Sequence, residues 1–236
     1  MKRLVLIAAL LLGCASMRMR SNPQRLRHIE TIVPVTFVGN HYVLPPGRSD
    51  DIFAATEQND ATAEMIFTSG VPAFLEALKG TERFKVVDPA RVLAAKSYAA
   101  FPSAFAGLNS SGVQLAFGWR YVRPEDAEKI RNLLEEVDAD AALLTYWRFS
   151  LDNRTRGDVG VQSATTHAHL RAWLIDRDGE IVADDEIDVP SDESLPMQNG
   201  HYDSRIATPL FDDAITTCAV RMVADFANAR AKARGE

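Results

Sequence analysis

The sequence predicts an α/β (α+β) fold in which helices cover a mixed β-sheet, and three observations predict it. Runs rich in Val, Ile, Phe and Thr alternate along the chain with stretches whose apolar residues recur at helical spacing, the pattern of strands joined through helices. Two long β-type runs flank Asp176-Arg177-Asp178-Gly179, a turn cluster, so part of the sheet is antiparallel. The 236 residues, 47% hydrophobic and 25% charged, suffice for one domain with a sizeable core. A net charge of -6 lacks the basic footprint of phosphate binding, so no nucleic-acid partner is expected.

The elements follow in order. Ile32, Val33, Val35, Phe37 and Val38 make residues 30–39 a strand ended by Gly39-Asn40; Pro34, without a ladder N–H, belongs at its start or on an edge. Residues 43–60, with Pro45-Pro46-Gly47, read as loop. Phe67, Val71, Phe74, Leu75 and Leu78 mark a helix stopped by Gly80, and Pro72 is expected to break or kink it near Gly70. Residues 83–88 form a short strand, and Pro89 opens a helix reaching about Ser97. Pro124 opens another, with Ile130, Leu133, Leu134 and Val137 as its buried stripe. Strands follow at 141–151, 164–175 and 180–189. The last helix has Thr208 as N-cap, Pro209 at its first position and the core stripe Phe211, Ile215, Cys218, Met222, Phe226. Arg230, Lys232 and Arg234 suit the negative end of its dipole, and loss of the Arg230 side chain is expected to matter little.

The amino terminus carries the most specific signal. Lys2 and Arg3 precede the apolar run 4–12, which is too short to span a bilayer and right for a signal-peptide core. Leu11-Leu12-Gly13-Cys14 resembles the lipobox of bacterial lipoproteins, the alternative being an ordinary cysteine in a conventional signal peptide. The resemblance implies cleavage after Gly13 and covalent lipid, palmitate among it, on Cys14. With more than one acyl chain the anchor is stable. Ala15 and Ser16 follow instead of Asp, which in this class implies the periplasmic side of the outer membrane. The expected organisation is a signal peptide over 1–13, a lipidated tether over 14–30 and one periplasmic domain over 31–236. Without Lys2 and Arg3 the mature chain holds 24 basic and 32 acidic residues, a balance of -8. Cys218 is then the single thiol, so no intramolecular disulfide is expected.

Three stretches carry a further likeness: residues 83–88 (RFKVVD), 137–144 (VDADAALL) and 174–182 (LIDRDGEIV), the last before a carboxyl-terminal helix. In this order they resemble the amino-terminal domain of TolB and are similar to the periplasmic domains of curli-secretion-channel lipoproteins and of lipoproteins that activate penicillin-binding proteins. The likeness spans about 31–231 and implies a fold, whereas function resides in sites.

Candidate sites are few. His167 and His169 alternate onto one strand face, a spacing metals can use with a third ligand. A two-residue turn at Asp178-Gly179 would pair His169 with Asp188, Arg171 with Glu186, Trp173 with Asp184 and Leu170 with Ile187. A three-residue loop would shift this by one, setting Arg171 against Asp185. The readings open here are a charge-paired sheet face and a weak metal site. No nucleophile elbow, zinc-protease helix, phosphate loop or CxxC is present, so the chain is expected not to be an enzyme and to use no cofactor beyond its lipid.

Residues 98–122 form the expected inserted β-hairpin, turning at Asn109-Ser110-Ser111-Gly112. Alternation places Val113, Leu115, Phe117, Trp119 and Tyr121 on one apolar face. That face could pack on the domain itself, meet lipid as in a barrel, or form an oligomer patch. The function expected is a non-enzymatic envelope lipoprotein that binds another envelope protein as an adaptor or accessory subunit. The alternative is an oligomeric secretion-channel subunit that inserts this hairpin.

Overall fold

The β-branched and aromatic residues of 31–40 build β2 (Thr31–Asn40), buried along nearly its whole length. The computed structural model describes residues 19–44, 61–103, 112–154, 162–197 and 202–235; residues 1–18, with Gly13 and Cys14, lie outside them. Around β2 stand β1 (Arg20–Ser21), β3 (Lys85–Val86), β4 (Val113–Leu115), β5 (Ala141–Arg154), β6 (Gln162–Asp176), β7 (Ile181–Pro190) and β8 (Leu195–Met197). The helices are α1 (Pro23–Leu26), α2 (Ala63–Gly80), α3 (Pro89–Ala94), α4 (Ala127–Val137) and α5 (Ser204–Arg234). The sheet runs β1-β7-β6-β5-β2-β3, with β4 also on β2 and β8 on β6. β2 is parallel to β3 and β5; the other pairs are antiparallel. The α+β fold with a mixed, helix-covered sheet is therefore the one the sequence predicts.

Pro34 lies within the sheet yet meets the edge requirement. β3 pairs with β2 only at Thr31 and Ile32 and β4 only from Val38 to Asn40, so β2 has a strand on one side alone between them. A bulge between Pro34 and Thr36 falls in this gap. The Tyr98 hydroxyl donates to the Val35 carbonyl there at 2.8 Å and accepts from the Arg120 N–H at 2.9 Å.

α2 and α5 cover one sheet face. Phe74 of α2 packs edge-on against Phe37 and Trp147, and Phe211 of α5 against Phe149. A Cβ on Gly70 would stand 2.5 Å from Ile215, so the helices need glycine there to approach this closely. α2 runs unbroken through exposed Pro72, contrary to the expected break; tertiary packing of its apolar stripe outweighs the lost hydrogen bond. α5 starts at Ser204 with Asp203 as N-cap, so Thr208 and Pro209 lie inside it and not at its start. Its stripe Phe211, Ile215, Cys218, Met222, Phe226 is buried as expected. On the opposite face, Tyr146 donates to the Val122 carbonyl at 2.8 Å, and α4 abuts the β6–β7 turn, where Ala127 would meet a Cβ on Gly179.

The expected tether over 14–30 ends sooner than composition suggests. β1 pairs with β7, Asn22 caps α1, and Leu26 and Ile29 are buried. Two apolar residues among arginines give no periodicity, but two arginines of α5 hold the segment's backbone. Arg230 donates to the Ile29 and Arg83 carbonyls at 2.7 and 2.6 Å and lies over the Phe84 ring, and Arg234 donates to the Arg27 carbonyl. Contrary to the expectation that it is dispensable, Arg230→Ala should cost about 1–2 kcal/mol. Urea midpoints of the variant and wild type check this.

Candidate functional site

Two surfaces hold the residues singled out from sequence. The first is the outer face of β5, β6 and β7. Its central register is the one expected for a two-residue turn: His169 faces Asp188, Arg171 faces Glu186, Trp173 faces Asp184 and Leu170 faces Ile187. The turn itself differs. Asp176 and Glu180 close a three-residue loop with Gly179 at φ +82°, and a shift between Leu174 and Ile175 restores the register.

The two histidines serve different carboxylates. His167 Nδ1 is 3.3 Å from Asp188 Oδ1, and His169 Nε2 is 3.0 Å from Glu186 Oε1. Burial and nearby Arg148 push the His169 pKa down, outweighing Glu186. The hydrogen bond from His167 pulls Asp188 below the usual carboxylate range. Arg171 stacks over Trp173, 4.7 Å from its centroid, and reaches Asp184 at 3.4 Å. Among the described residues no three His, Cys, Asp or Glu side chains are grouped to hold a metal. These pairs make the face a charge-paired sheet surface.

The second surface is the inserted segment. Its two ends meet where Tyr121 N–H donates to the Pro102 carbonyl at 2.8 Å, so the chain folds back as expected. The strand pairing differs: Tyr98–Ala100 is a 3-10 turn, residues 104–111 lie outside the described residues, and β4 adds to β2. The expected single apolar face over Val113, Leu115, Phe117, Trp119 and Tyr121 does not form. β4 ends at Leu115, and Gly118 at φ +82° turns the chain. Leu115 and Trp119 are therefore buried, Val113 and Tyr121 half-buried, and Phe117 is 96% exposed. Trp119 packs 4.6 Å from the Phe37 ring centroid.

Phe117 stands on the rim of a groove of about 470 Å³ lined by residues 113–120 with Glu64 and Ser103. Every other phenylalanine among the described residues is buried. Sequence alternation picked out this segment but assigned Phe117 to the wrong side, because alternation cannot register a positive φ one residue later. Phe117→Asp should thus leave stability within about 0.5 kcal/mol of wild type, as surface changes do. Thermal unfolding of the two proteins checks it.

No family model and no curated protein sequence matches this chain. Solved structures similar to it include a dodecamer of PelC from Paraburkholderia phytofirmans, at 14% identity and TM-score 0.31, covering 84% of this chain and 94% of that one. Another is a neuraminyllactose-binding hemagglutinin homolog from Helicobacter pylori, at 7% identity and TM-score 0.40, covering 94% and 100%. A third is protein XCC0632 from Xanthomonas campestris, at 13% identity and TM-score 0.34, covering 93% and 96%.

Proposed function

We propose that this chain is a non-enzymatic lipoprotein, anchored through Cys14 to the periplasmic side of the outer membrane, whose domain binds another protein of the cell envelope. The lipobox-like Leu11-Leu12-Gly13-Cys14 supports the anchor. The observation that carries the binding role is Phe117, an aromatic ring left in water beside a groove by a domain that buries its other described phenylalanines. Exposed aromatic anchors of this kind supply much of the energy of protein interfaces. The charge-paired His167 and His169 act in this reading as parts of the sheet surface.

A photo-crosslinking residue at Phe117 in intact cells tests the proposal. The expected product joins the chain to a different envelope protein, and Phe117→Asp abolishes capture of that protein by the same photo-crosslinking residue placed instead at exposed Ser103 of the groove. A product containing only further copies of the chain would favour the second reading, an oligomeric secretion-channel subunit, which the same exposed ring also suits. No product at Phe117 would contradict both.

A further inference from the structure

We infer that the lipid anchor holds this domain edge-on, with the β1–β7 edge against the lipid headgroups and the Phe117 tip turned away from the membrane; the inference rests on the proposed acylation of Cys14. The covalent path is short. Met19 packs against the core, and only five residue steps separate it from Cys14. At about 3.3–3.6 Å per residue, the longest possible span is about 18 Å. A globular chain of this size is roughly 44 Å across, so the domain is far wider than its tether is long.

The sheet order converts that limit into an orientation. β1 lies at one edge, and β3 is five strand steps away. At about 4.8 Å per step the two edges are roughly 24 Å apart. If the β3 edge faced the membrane, Met19 would stand farther from the surface than the tether can reach. The first residues cannot peel away freely to relieve this. Asn22 N–H donates to the Val182 carbonyl at 2.9 Å, and Arg25 bridges Asp176 and Asp178 at 2.6 and 2.9 Å. β4 pairs with β2, four steps from β1, which places Phe117 on the side remote from the anchor. Of the sheet's two edges, the β1–β7 edge is therefore the one the tether can hold at the lipid surface. The groove beside Phe117 is presented to the periplasm, where a soluble face of another protein can reach it.

Single-site fluorophores on the full acylated lipoprotein test this. Cys14 is blocked by lipid and Cys218 is buried, so a cysteine placed at exposed Ser21 or Phe117 is the reactive thiol. The protein is reconstituted in phosphatidylethanolamine–phosphatidylglycerol vesicles carrying a headgroup nitroxide. Quenching is expected to be several-fold stronger for S21C than for F117C. Insertion of about 30 Gly/Ser residues between Ala15 and Ser16 should make the two sites equal, because such a flexible linker releases the constraint. Equal quenching without the insertion, in protein whose mass shows the acyl chains, would overturn the orientation and leave the anchor standing. Stronger quenching at F117C would overturn it in favour of membrane insertion by the tip. A mass without acyl chains would remove the anchor, and the orientation with it.

Discussion

Phe226→Ala is expected to destabilise the domain by about 3–5 kcal/mol, the usual cost of emptying a fully buried aromatic site. Phe226 is buried in the second half of α5, the helix that packs against α2, β6, β7 and α1 at once. Truncation removes the apolar transfer energy of the ring and leaves a void that neighbouring helices and strands, fixed by their own hydrogen bonds, cannot close. Val220, at the solvent edge of the same helix, is the control: Val220→Ala should shift stability by no more than about 0.5 kcal/mol. Urea unfolding followed by circular dichroism separates the two. Equal midpoints for Phe226→Ala and wild type would remove this face of α5 from the core.

The second large effect is a dependence on pH. Asp185, on the helix-covered side of β7, is buried, and its pKa is pushed up to about 7, mainly by loss of water and then by Asp225 of α5. In the unfolded chain the same carboxyl titrates near 3.8. The folded state therefore holds a proton that the unfolded state releases between these values. The stability this proton supplies is fully present below about 3.8, falls as pH rises, and is gone above about 7. Asp185→Asn keeps the shape and removes the titration. The variant should match wild type near pH 4 and exceed it at pH 8 by a few kcal/mol, from about 1.4 kcal/mol per pKa unit. The difference between the two proteins is the quantity to follow, since His169 and other groups common to both largely cancel. A constant difference from pH 4 to 8 would mean that Asp185 is ionised in the folded protein throughout.

The parts of this architecture legible in the sequence were those fixed by periodicity. The burial of Phe211, Ile215, Cys218, Met222 and Phe226 follows from helical spacing, and the placement of His167 and His169 on one face of β6 from its alternation. Three features were not legible, each for a different reason. The loop at 177–179 and the compensating shift at Leu174/Ile175 cancel, so the correct register arose from the wrong turn. β1 and α1 are too short for a pattern and depend on contacts supplied by β7 and α5, nearly the whole chain away. Phe117 was recognised as part of a special segment, but its exposure depends on the turn at Gly118 and on the pairing of β4 with β2, neither of which alternation encodes.

The proposed lipid anchor at Cys14 underlies both the proposed function and the proposed orientation. Feeding cells labelled fatty acid and comparing wild type with Cys14→Ala tests it most directly. The account predicts label on the wild-type protein, none on the variant, and accumulation of the variant as the longer, uncleaved precursor. Equal labelling of both, or a wild-type chain that matures without label, would contradict it.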